Sequence, residues 1–132
     1  LTERYEIDSD AIRVVQQRYP YAGAANAAVT LHVLDLDSGR THDLAWRSAP
    51  DDYLARVDWW GARVVVQAQS RDQRRLDVAV IDVRTGSREV LLTESAGTAA
   101  TGHWVNLHDN LRPLDDHALL WTSERDGHAH LY

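Results

Sequence analysis

Residues 33–44 read VLDLDSGRTHDL, and residues 80–91 read VIDVRTGSREVL. Laid over each other, they share Val33/Val80, Asp35/Asp82 and Gly39/Gly86. Leu34/Ile81, Leu36/Val83, Ser38/Thr85 and Leu44/Leu91 match in kind, and the offset from Gly39 to Gly86 is 47 residues. Each stretch predicts a hairpin. A third strand ends in Asp and a hydrophobic residue, and Ser-Gly or Thr-Gly makes the turn, because glycine accepts positive φ without steric cost. A polar fourth strand follows, with Arg40, Thr41, Arg88 and Glu89 facing solvent at an exposed edge. A repeat of about 40–50 residues built from four strands is the signature of a β-propeller blade.

Working outward, one complete unit parses as YLARVDW (53–59), RVVVQAQS (63–70), RLDVAVIDV (75–83) and SREVLLTE (87–94), innermost to outermost. Turn signals at 60–61, 70–73 and 84–86 separate these runs. Upstream, AVTLHVLDL (28–36) and RTHDLAW (40–46) are expected to be the outer strands of a preceding blade. Downstream, HWVNLHD (103–109), HALLWTSERD (117–126) and GHAHLY (127–132) are expected to be the first three strands of the next. DSDAIRVVQQ (8–17) reads equally as a helix or as an extended lead-in. The expected fold is all-β: antiparallel four-stranded blades, with a lead-in at 1–27, outer strands at 28–50, one full blade at 51–97 and the start of another at 98–132. About two and a half blades do not close a ring, which takes about 4–8. The chain is therefore expected to be a piece of a larger protein, as its start at Leu1 and its lack of methionine also suggest.

Composition narrows the function classes. The chain has 132 residues, no cysteine and a formal net charge of −6. Disulfides and thiol chemistry are excluded. All 14 basic residues are arginine, with no basic run, so nucleic-acid binding is not expected. No apolar run approaches the roughly 18 residues that span a bilayer as a helix.

The phrase RYPYAGAANAAVTLHVLDLDSG (18–39) resembles a stretch of the dipeptidyl peptidase IV-like serine peptidases of the prolyl oligopeptidase clan. YLARVDW, TGHWVN (101–106) and SERDGHAHLY (123–132) resemble the same family and follow in its order. The resemblance implies an eight-bladed propeller capping an α/β-hydrolase domain that removes N-terminal dipeptides with Pro or Ala second. The family's catalytic Ser, Asp and His lie in the hydrolase domain, and no G-x-S-x-G occurs here. Its paired glutamates for the substrate ammonium precede the YPxAG phrase, and Glu3 and Glu6 do not match them. No catalytic residue, cofactor or metal is expected within these residues, and peptide substrates would be met through the hydrolase domain. The resemblance leaves the compartment open between periplasm and cytoplasm of a bacterium.

One residue stands out as a candidate. In the family an Arg from the corresponding propeller loop reaches the substrate, and Arg112 is the only arginine of TGHWVNLHDNLRP (101–113). It is expected to contact substrate, the bland alternative being a surface arginine paired with Asp109 or Asp115. Trp59, Trp104 and Trp121 are expected to fill the space between blades. Ser70, Ser95 and Ser123 lie in no strand–turn–helix elbow, and the pairs Asp51-Asp52 and Asp115-Asp116 read as solvated turns.

Two other readings stay open. Exposed strand edges suit a stand-alone interaction module or a dimer. His103, His108, His117, His128 and His130, with Asp109, Asp115 and Asp116, suit a zinc site by residue type but match no named spacing.

Overall fold

The computed structural model describes residues 2–8, 10–17, 23–96 and 103–132. All the regular structure among them is β, in antiparallel sheets. The centre is a four-stranded meander of β5 (Tyr53–Trp60), β6 (Arg63–Gln69), β7 (Arg75–Asp82) and β8 (Arg88–Ser95), neighbours in that order. Before it come a ribbon of β1 (Thr2–Ile7) and β2 (Ile12–Gln17) and a pair of β3 (Leu31–Leu34) and β4 (Thr41–Leu44). After it come β9 (Arg112–Pro113), β10 (Leu119–Leu120), β11 (Thr122–Ser123) and β12 (His130–Leu131), with β10 on β9 and β11 on β12. The main chains of Trp121 and Tyr132 exchange two hydrogen bonds, at 3.0 and 2.8 Å, extending the β11–β12 pairing.

The repeated hairpin has the same wiring twice. Asp35 Oδ1 accepts the N–H groups of Asp37 (3.0 Å) and Ser38 (2.8 Å); Asp82 Oδ1 accepts those of Arg84 (2.9 Å) and Thr85 (2.8 Å). Gly39 N–H donates to Asp35 O and Gly86 N–H to Asp82 O, each at 2.8 Å. The two glycines sit at φ 68° and 73°, in the left-handed region where a side chain is strained. Aspartate is needed because its short carboxylate closes the turn on its own backbone.

Burial explains the stacking. β6 and β7 are mid-sheet and covered on both faces, so they are apolar along their length instead of alternating. Val64, Val66, Ala68, Ala79 and Ile81 pack on Leu44 and Trp46 of the preceding pair. Val65, Leu76 and Val78 pack on Leu111 and Trp121 of the following unit. At about 1.5–3 kcal/mol per fully buried aliphatic side chain, these two layers are the main force joining the three units.

Three expectations need correction or a choice. First, residues 8–17 are not helical: β2 pairs with β1 through Ile7↔Ile12 and Tyr5↔Val14. Adjacent β-branched Val14 and Val15 suit a strand better than a helix. Second, no strand forms over 103–109; among the described residues the first strand of the third unit is Arg112–Pro113. Val105 is committed elsewhere, its N–H donating to Gln73 O at 2.8 Å and its carbonyl accepting Gln69 Nε2 at 3.0 Å. Third, Trp121 is buried between units, but Trp59 and Trp104 are 56% and 63% exposed. The buried neighbour of Trp59 is Trp60, because successive side chains of a strand face opposite ways. Trp60 Nε1 donates to Asp115 O at 2.6 Å, and the guanidinium of Arg63 lies 4.3 Å from its ring centre.

Candidate functional site between two blades

Two concave sites open along the seam between the central sheet and the unit that follows it. The smaller, about 260 Å³, lies beside the edge strand β5 and is lined by Arg56, Val57, Asp58, Val65, Gln67, Asp109, Leu111 and Arg112. The pleat builds its wall from the central sheet. Arg56 pairs with Gln67 and Asp58 with Val65 across β5 and β6, so these four side chains share one face. The opposite wall is the entry to β9, where buried Leu111 anchors Arg112.

Arg112 lies at the seam, opposite Leu120 in the β9–β10 pair. Neither pairing foreseen for it forms. Asp109 takes Arg56, Nε to Oδ1 at 2.7 Å across the seam. Asp115 Oδ1 accepts the N–H groups of His117 (2.7 Å) and Ala118 (2.8 Å). Among the described residues the Arg112 guanidinium reaches only the carbonyl of Leu111, at 3.3 Å. Residues 101 and 102 of the same sequence segment lie outside the described residues.

The larger site, about 530 Å³, is lined by the end of β8, residues 103–106 and 108, and the β11–β12 turn. Its floor is a polar network. Glu94 Oε1 accepts both Trp121 Nε1 and an Arg125 N–H, each at 2.9 Å. Arg125 Nε also donates to Ser123 Oγ at 2.9 Å. Arg125 lies over the ring of Tyr132, whose hydroxyl donates to Asp126. That hydrogen bond, with desolvation and the aspartate charge, holds the Tyr132 phenol above its ordinary pKa. Glu94 ties β8 to the next unit through Trp121 and Arg125, and the other contacts lie within that unit, so the network reads as structural.

The remaining candidates do not converge. Ser70 Oγ donates to Asp72 at 2.6 Å, and this hydroxyl and the Arg74 amide hold Asp72 below the usual carboxylate range. Ser123 serves Arg125. Among the described residues no three His, Asp or Glu side chains gather as a metal site. Asp52 is no solvated turn residue. It is buried, accepts the amides of Ser48 (3.0 Å) and Ala49 (2.7 Å), and holds Arg75 at 2.8 Å. Arg56, Asp58 and Gln67 were not foreseen; the one available signal was Gln67, a polar residue inside the apolar run RVVVQAQ.

Three comparisons agree with this architecture. A family model described as the dipeptidyl peptidase IV (DPP IV) N-terminal region matches residues 2–132, and the chain belongs to that family. A probable dipeptidyl-aminopeptidase B of Podospora anserina is 40% identical over 99 residues, 71% of this chain and 10% of that protein. Its counterpart in Ajellomyces dermatitidis is 31% identical over 114 residues, 81% of this chain and 12% of that protein. The chain thus spans about a tenth of the curated relatives' length. Among solved structures, Porphyromonas gingivalis dipeptidyl peptidase 4 superposes with a TM-score of 0.81 at 19% identity, covering all of this chain and 19% of that one. A putative dipeptidyl aminopeptidase IV from Bacteroides ovatus superposes at 0.75 and 22% identity, covering 99% of this chain and 19% of that one. At such identity these two likenesses speak for the fold.

Proposed function

We propose that these residues are a propeller segment of a serine-type dipeptidyl exopeptidase, and that they shape access of short peptides to a hydrolase domain carried elsewhere in the protein. The observation that carries the reading is the family match along a chain that folds as one complete four-stranded unit between two incomplete ones. Arg112 is the residue assigned to peptide contact, supported by its place at the seam and its lack of a carboxylate partner among the described residues. The full-length protein is expected to release p-nitroaniline from Gly-Pro-p-nitroanilide, with little turnover of the N-acetylated substrate. Hydrolysis that ignores the acetyl group would replace the exopeptidase reading by an endopeptidase one. Absence of hydrolysis in a folded full-length protein would leave the chain as an interaction module.

A specific observation supports a partner as well. The β1–β2 ribbon carries Tyr5, Ile7, Ile12 and Val14 on one face, between 53% and 80% exposed, and Arg4, Glu6 and Arg13 on the other. The apolar row pairs with itself across the ribbon, so a two-fold copy would match like with like. A second copy of the protein is the proposed occupant of this face of the ribbon.

A further inference from the structure

Asp109 and Arg112 carry opposite charges three residues apart and line the same cavity, yet they do not pair. The chain between them is fixed. Asn110 Nδ2 donates to Thr122 Oγ1 at 2.7 Å, and Leu111 is buried. The two charged side chains flank this anchored pair. What occupies Asp109 is a third residue: Arg56 Nε meets its Oδ1 at 2.7 Å across the seam. Among the described residues Arg56 is the sole partner of that carboxylate.

A local irregularity aims Arg56 at the seam. Leu54 pairs with Ala68 and Arg56 with Gln67, so Ala55 is an extra residue in β5, a bulge. In a regular strand residue 56 would share the face of Leu54, which packs towards the preceding pair. The bulge turns Arg56 to the opposite face, towards the unit that follows. Arg56 Nη1 also donates to the Ala55 carbonyl at 3.0 Å, so the bulge steadies the guanidinium that holds Asp109.

We propose that Arg56 is a positioning residue for Arg112: by occupying Asp109 it prevents an Asp109–Arg112 pair and keeps the Arg112 guanidinium open to peptide. The proposal rests on the reading above that Arg112 contacts peptide. With Arg56 gone, Asp109 loses its partner beside a guanidinium that reaches only the Leu111 carbonyl, at 3.3 Å. A carboxylate and a guanidinium so placed form a charge-assisted pair. Exposed ion pairs are modest, so the competition weakens peptide contact about two- to fivefold and does not abolish it. Asp58, the other carboxylate of the cavity, suits Arg112 less, because its Oδ1 accepts the Trp59 amide at 2.7 Å.

The test uses the full-length protein. Gly-Pro-p-nitroanilide gives KM and kcat, and labelling with p-hydroxyphenylglyoxal, located by peptide mass spectrometry, reads how open Arg112 is. Arg56→Gln is expected to raise KM about two- to fivefold at unchanged kcat and to slow Arg112 labelling by a similar factor. Adding Asp109→Asn is expected to return both to wild-type values, whereas adding Asp58→Asn is not. At about 1 M salt the effect of Arg56→Gln is expected to shrink, since the competing pair is exposed and screened. If Arg56 merely tied the two units together, Asp109→Asn would not rescue its loss. That result, or unchanged Arg112 labelling in Arg56→Gln, would overturn the proposal. The two readings fail separately, because labelling needs no hydrolysis. The expected labelling pattern with a level KM keeps Arg56 as the residue that frees Arg112 and removes Arg112 from peptide contact. A KM raised by Arg112→Gln, with labelling that ignores Arg56, keeps the peptide contact and removes Arg56.

Discussion

Trp121 and Glu94 meet at 2.9 Å, indole N–H to carboxylate Oε1, joining the outermost strand of the central blade to the middle strand of the next. Trp121 is 2% exposed, and the carboxylate is the partner of its N–H. A buried donor left unpaired costs about 1–3 kcal/mol. Glu94→Ala is expected to destabilise the protein by about that amount, read from the midpoint of urea denaturation. Glu94→Gln keeps an acceptor and is expected to lose less than half as much. Equal losses in the two variants would show that the carboxylate charge towards Arg125 matters more than the hydrogen bond to Trp121.

The paired hairpins give a second prediction, on backbone strain. Gly86 sits at φ 73° with open space around a notional Cβ, so Gly86→Ala meets no steric clash and only the conformational penalty. That penalty is about 1–2 kcal/mol for a left-handed residue. Gly39→Ala, at φ 68° and equally open, is expected to cost the same within error. Thermal denaturation of the two single variants checks the equivalence, and a large difference would break the repeat into two unrelated turns.

The same turns carry a pH signature. Backbone N–H groups, Ser38 first at Asp35 and Thr85 first at Asp82, hold both carboxyls below the usual aspartate range. Their folded-state pKa values therefore lie below the unfolded ones. Their contribution is complete above the unfolded value and disappears as pH falls through the folded value. Asp82→Asn retains an acceptor for Thr85 but cannot titrate. It is expected to flatten the acid limb of the stability–pH curve by lowering stability at neutral pH while leaving it little changed in acid. An unchanged acid limb would remove Asp82 from the account.

How much of this was legible follows from how local each signal is. The hairpins at Asp35 and Asp82 were legible because a turn is decided within six residues, and the repeat confirmed each by the other. The apolar runs of β6 and β7 were equally plain, since strands covered on both faces keep no polar alternation. The first strand of the third unit was misplaced because the alternation in HWVNLHD is real, yet Val105 spends its backbone on Gln69 and Gln73. No local pattern reveals such a long-range commitment. Trp59 and Trp60 show the same limit: composition marks both for burial, and only the register of β5 on β6 decides which one turns inward. The cavity residues Arg56, Asp58 and Gln67 come together through that register as well, across strands that sequence order alone does not align.

The ribbon supplies the last prediction. Ile7 faces Ile12 across β1 and β2, and the two are 80% and 67% exposed. Apolar area of this kind favours association by about 25 cal/mol per Å² removed from water, before the costs of docking. The full-length protein is expected to be a dimer by light scattering. Ile7→Asp with Ile12→Arg is expected to shift it to monomer, neither side chain being covered by the described residues. These charges of opposite sign pair across the ribbon, so the variant preserves the hairpin while removing its apolar centre. A variant that stays dimeric would assign the dimer to another surface, and a monomeric wild type would remove the second copy as the occupant of this face.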